Sequence, residues 1–147
     1  MKDSIKLRGE VDIVVLDPLG NIKDQRHINN LVVNAGLDFI ASRMTGTSKN
    51  VMSHMAIGTN NTAPAAGDTA LASALGSRKA LQSITVTSNT IKYVAAFEAG
   101  ESTGDIFEAG IFNGATGGDM LCRSVFCEVT KDANDIMGIT WTITVSA

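Results

Sequence analysis

Between Ile139 and Val145 apolar and hydroxyl side chains alternate without a break, Ile139, Trp141, Ile143 and Val145 on one side and Thr140, Thr142 and Thr144 on the other. A period of two belongs to an extended strand, with one face in a core and the other toward solvent or a second surface. This segment therefore commits at least part of the chain to a half-buried β-sheet with Trp141 in its core.

The rest of the chain carries the same signature in shorter pieces. Ile5 to Leu16 reads as a strand with Val11, Ile13 and Val15 on one face, and Asp17-Pro18-Leu19-Gly20-Asn21 supplies turn residues before a return strand, Ile22 to Ile28. Val51 to Ile57 is a further strand. Gln82 to Thr87 and Thr90 to Phe97 form a hairpin around Ser88-Asn89, with Ile91, Tyr93, Ala95 and Phe97 sharing a face. Asp105 to Asn113 and Met120 to Val129 pair across the flexible turn Gly114 to Gly118.

One segment reads as a helix, about Leu31 to Met44, with Val33, Leu37, Ile40, Ala41 and Met44 on one stripe. Asn29 or Asn30 is its expected cap and Gly46 its stop. Gly36 inside it costs about 1 kcal/mol relative to alanine, a cost that close packing against a sheet would explain. From Gly58 to Gly67 the chain is loop, and Thr69 to Leu75 is expected to form one or two helical turns capped by Asp68. Eight or so short strands with one helix define a mainly β fold, an antiparallel β-sandwich with the jelly roll among its forms. At 147 residues the chain fits one domain, 1–147, whose core leans on aliphatic residues because aromatics are only 5%.

Composition narrows the function classes. A net charge of −3 lacks the basic excess of a general nucleic-acid binder. Charge is uneven along the chain, with ten basic against seven acidic residues up to Phe97 and two against eight from Glu98 to Asp135, a split that could orient docking. Cys122 and Cys127 are an odd five residues apart on one strand, so they point to opposite faces roughly 16 Å apart and are expected as free thiols. The first residues lack an apolar signal region, and no apolar run approaches a membrane span, so neither export nor membrane residence is expected.

Chemical motifs are sparse. His27 and His54 have no companion ligands at zinc spacing, and no serine sits in a nucleophile elbow. Glu98, Glu101, Asp105 and Glu108 form the densest carboxylate group, which reads as a solvated loop and strand edge; a glycosidase would also need aromatic platforms. The tract from Asp132 to Asp135 lacks the glycine and terminal glutamate of a calcium loop. Asn113 to Gly118 matches no phosphate-binding pattern. No enzyme, cofactor or metal is expected.

Five segments carry a family likeness: Asn30 to Leu37, Ala56 to Leu71, Glu108 to Asn113, Gly118 to Arg123 and Thr140 to Thr144. On these the chain resembles small virion structural proteins of tailed bacteriophages, labelled head decoration (cement) or tail-fibre-like. The resemblance implies a capsid decoration protein that binds the major capsid protein on the outside of the virion shell, made in the host cytoplasm and acting as a homo-dimer or homo-trimer. It implies no catalytic residues, nucleic acid or membrane. A tail-fibre or baseplate module that recognises a host surface is the alternative. Cement proteins bind through preformed loops and extended termini, which makes Lys2, Ile5, Lys6, Thr59, Asn60, Asn61, Thr62 and Pro64 the expected contact residues.

Overall fold

The computed structural model describes residues 3–147. Ten strands and one helix follow in the order β1 (Lys6–Leu16), β2 (Ile22–Asn29), β3 (Leu31–Val32), α1 (Asn34–Met44), β4 (His54–Gly58), β5 (Lys79–Ala80), β6 (Ser83–Thr87), β7 (Thr90–Phe97), β8 (Gly104–Phe112), β9 (Met120–Lys131) and β10 (Ile136–Ser146). They form two five-stranded antiparallel sheets, β2-β1-β10-β7-β6 and β3-β9-β8-β4-β5. The expected β-sandwich is the fold. The pairings β1 with β10, β3 with β9 and β4 with β8 nest inside one another as in a jelly roll, whereas the hairpins β1-β2, β6-β7 and β8-β9 stay within a sheet and depart from that plan.

The alternating segment lies at the centre of the first sheet. β10 pairs with β1 over eleven residues and with β7 on its other side, so Met137, Ile139, Trp141 and Ile143 face inward beside Val11, Ile13, Val15, Tyr93, Ala95 and Phe97. Trp141 is fully buried. Met55, Ile57, Ile106, Ala109, Ile111, Cys122 and Val129 close the core from the second sheet. Opposite placement of the two cysteines follows as expected, Cys122 buried and Cys127 exposed. Burial pushes the Cys122 thiol up to about 12.

Two helical expectations are corrected. Leu31 and Val32 are strand, paired with Arg123 and Cys122, and the helix starts only at Asn34, after an extended Val33 that has no side-chain cap. β-Branched Val32 and Val33 favour that extended entry. Neither Asn29 nor Asn30 caps the helix, because Asn29 ends β2 and the Asn30 side chain is stacked over Gly9. The buried face is Val33, Gly36 and Phe39, with Ile40 partly covered; Leu37, Ala41 and Met44 face outward. Gly36 explains the rotation: a Cβ there would stand 2.2 Å from the Leu121 carbonyl oxygen, so the helix rests on β9 along its glycine line. Residues 69–75 are not helical, and Asp68 serves another purpose.

Around β4 and the adjoining halves of β8 and β9 the second sheet is covered on both faces. Its outer side carries a smaller cluster of Val33, Ala56, Phe112 and Met120, on which Ala35 and Leu71 pack. Consequently β8 from Glu108 to Phe112 and β9 from Met120 to Ser124 are buried without alternation. The cover is the segment after β4.

Candidate functional site: a clamped loop on the second sheet

Between Met55 and Ser77 the sequence has one ionisable residue, Asp68, and beyond Ile57, Leu71 and Leu75 it consists of alanine, threonine, asparagine, serine, glycine and proline. Such a segment has little apolar surface to fold around and would wander unless tied down. Its return is fixed at the β4 edge, where Thr59 N–H donates to the Ser73 carbonyl (2.9 Å) and Leu75 N–H to the Ile57 carbonyl (2.8 Å). Gly58 permits that closure, since a Cβ would meet the Ser73 oxygen at 2.4 Å and Glu108 Oε1 at 2.5 Å.

The remaining ties come from two charges on the floor of the loop. Glu108 is fully buried on β8 and Arg123, with 2% of its side chain exposed, faces it from β9. Arg123 Nε donates to Glu108 Oε2 at 3.0 Å, and Nη2 lies 2.9 Å from the same oxygen. Nη1 reaches Asp68 Oδ2 and Nη2 also reaches the Thr62 carbonyl, both at 3.0 Å. Glu108 accepts from the backbone N–H of Ala72 (3.0 Å) and Ser73 (2.7 Å), while Asp68 Oδ2 accepts from Ala65 N–H (2.9 Å). One guanidinium and two carboxylates thus hold the loop at Thr62, Ala65, Asp68, Ala72 and Ser73. Every oxygen of Glu108 is engaged, so the group acts as a clamp and has no lone pair directed at solvent.

Further contacts finish the platform. Asn34 N–H donates to the Ala66 carbonyl at 2.8 Å, and Asn60 Oδ1 accepts from Thr62 N–H at 2.7 Å in a local turn. Arg78 lies 3.6 Å over the Phe112 ring and donates to the carbonyls of Gly114 and Gly117, joining the loop's far end to the β8-β9 turn. Burial lowers its pKa, though it stays a cation.

Sequence reasoning placed Glu108 with a solvated acidic group, and the structure corrects this. Glu101 pairs with Lys79, Asp105 accepts from the Thr130 hydroxyl, and Glu108 is sealed under the loop. The available signal was a charge inside each of two apolar runs, Glu108 before Ala-Gly-Ile-Phe and Arg123 after Met-Leu-Cys. Such charges need a partner.

Of the expected contact residues, Thr59, Asn61 and Thr62 are exposed on this loop, and Asn60 and Pro64 are half-buried. Ile5 is 73% exposed and lines a depression with Asn89 and Val145, at the end of the first sheet where Lys6 pairs with Ser146. Loop and N-terminal segment therefore lie on different sheets and make two surfaces. Lys2 lies outside the described residues. Among the described residues no group of three or more His, Cys, Asp or Glu could hold a metal ion.

No family model, no curated protein and no solved structure matches the chain. Its site is accordingly defined by its own geometry.

Proposed function

We propose that this chain is a structural protein of a tailed-bacteriophage virion, a capsid decoration protein that binds the outer surface of the major capsid shell through the clamped loop. The observation that carries the reading is a small-residue loop, its one charge Asp68 paired with Arg123, tied by hydrogen bonds over the buried Arg123–Glu108 pair. A rigid loop loses little conformational entropy on docking, and its alanines and threonines allow close approach to another surface. Four of the five segments that carry the family likeness build this one platform: the loop, its floor on β8 and β9, and the Val33–Gly36 turn beneath it. Summed over a lattice of identical subunits, weak contacts of this kind give firm attachment.

Cryo-electron microscopy of intact particles tests the reading. Hundreds of copies on the shell, with the loop against capsid protein, are expected; a handful at the tail would replace it with the host-recognition alternative. Asn61→Arg should then weaken attachment to purified shells while leaving the melting temperature unchanged. Deleting residues 1–6 tests the second surface in the same assay, and full binding without them would remove Lys2, Ile5 and Lys6 from the interface.

A further inference from the structure

Four strands lie at sheet edges, and three of them are protected against pairing with another chain. β3 and β5 are two residues long, and β2 carries Lys23, Asp24, Arg26 and His27. β6 has neither defence. Its sequence, Ser83-Ile-Thr-Val-Thr87, is uncharged, contains no proline and is exposed at all five positions. The flanking Gln82, Ser88 and Asn89 are uncharged as well.

The hairpin fixes which backbone groups are open. A two-residue turn, Ser88-Asn89 with Ser88 at φ 55°, closes on the Thr87–Thr90 pair, so Thr85 and Thr87 bond to β7. The N–H and C=O groups of Ile84 and Val86 then point away from the sheet. Their side chains flank an apolar groove of about 380 Å³, together with Val51, Tyr93 and Leu121. Ile84, Val86 and Val51 are 47%, 67% and 57% exposed. Thr85 and Thr87 occupy the opposite face beside Lys92.

We propose that β6 is the seam of a two-fold homodimer, in which β6 of one copy pairs antiparallel with β6 of the other about an axis through Thr85. That register places Ile84 opposite the partner's Val86 and Val86 opposite the partner's Ile84. The four open backbone groups of each copy meet, giving four hydrogen bonds and a continuous ten-stranded sheet. Self-complementarity selects a second copy as the occupant: no charge meets a like charge at the seam, and the apolar pair matches itself under the two-fold. Five residues of strand alone fall short of the roughly 800 Å² per partner that a stable dimer needs. Val51 and the groove that Ile84 and Val86 flank add apolar surface beside the strand, and the dimer is expected to dissociate on dilution. This inference stands on the edge strand and is independent of shell binding.

Sedimentation of the full chain should give twice the 15.4 kDa chain mass. Ile84→Lys with Val86→Lys sets lysine against lysine across the axis and should yield a monomer whose circular dichroism matches the parent and whose melting, unlike the parent's, does not depend on protein concentration. Ile84→Lys with Val86→Glu sets lysine against glutamate and should restore a dimer that weakens with salt. In a Cys127→Ser background, Thr85→Cys should form an intermolecular disulfide on mild oxidation, whereas Ser83→Cys, which faces Thr87, should not. A monomeric parent without the Thr85→Cys cross-link overturns the proposal, and so does a dimer that survives the double lysine change.

Discussion

The first sheet turns one face to the core and the other outward, so Thr140, Thr142 and Thr144 of β10 and Lys92 of β7 line an open surface, whereas the second sheet is buried on both sides over Glu108–Phe112 of β8 and Met120–Ser124 of β9. Both have five strands. The difference is made by a loop of small residues that could not cover a sheet by hydrophobicity alone. It does so because Arg123 and Glu108 stand where the open sheet has solvated side chains, and they bond to the loop's backbone. Here a polar loop covers an antiparallel sheet by way of buried charge, and removing one partner of that charge would leave the other unpaired.

Changes in the core that both sheets share should have the largest effect. Trp141→Ala removes a fully buried indole from β10 and is expected to cost about 3 to 5 kcal/mol, read as a shift in the denaturant midpoint. An unchanged midpoint would mean that the two sheets do not share one core. Next comes the clamp. Arg123→Met leaves Glu108 buried without its cation and should cost about 3 to 5 kcal/mol. Its signature separates it from the core change: amide hydrogen exchange at Ala72 and Ser73 should rise before global unfolding, since those N–H groups bond to Glu108. If those amides exchange only with the core, the loop and sheet are one cooperative unit.

The same contrast explains what the sequence reveals. Alternation marks a half-buried strand, so β10, β1 and β7, with their inward residues, are legible from Val11, Tyr93 or Trp141 alone. Over Glu108–Phe112 and Met120–Ser124 burial on two faces erases the period, and the strands remain visible only as apolar runs between turns. Helix α1 is legible as a helix, but its face is set by Gly36 against the Leu121 carbonyl, a contact between positions far apart in sequence. Asp68 followed by Thr-Ala-Leu has local helix chemistry, yet Asp68 bonds to Arg123 and Glu108 takes the Ala72 and Ser73 amides. Tertiary hydrogen bonds there outweigh a weak local propensity.

Smaller effects sharpen the comparison. Gly58→Ala puts a methyl group against the Ser73 carbonyl and Glu108 and should cost about 1 to 3 kcal/mol, with the clamp's exchange pattern disturbed. An outer-face change in the open sheet, Lys92→Met, should alter stability by no more than about 0.5 kcal/mol in either direction. Thermal melts of the two variants side by side give the contrast. Equal effects would show that the outer faces are energetically alike and that the loop is a passive cover.

The smallest expected effect lies on the charged edge of the open sheet. His27 Nδ1 is 2.6 Å from Asp12 Oδ1 on the neighbouring strand, with Glu10 4.0 Å from Nε2. The hydrogen bond to Asp12, followed by the charges of Asp12 and Glu10, raises the imidazole above its ordinary 6.5. A raised histidine stabilises the folded chain fully below its unfolded pKa and loses that contribution as pH rises through the folded value. Asp24 and Asp135 behave oppositely: held below 3.8 by Arg26 and Lys23 respectively, they stabilise above that value and lose the contribution as pH falls. The two windows are separate, so a pH series of melting temperatures resolves them. His27→Gln should melt slightly below the parent on the acidic side of neutrality and converge with it on the alkaline side. Because the imidazole is 59% exposed the difference should be small and should shrink further with added salt. Parent and variant curves that coincide at every pH would leave this edge charged for the sake of blocking strand addition alone, which is the protection that β6 lacks.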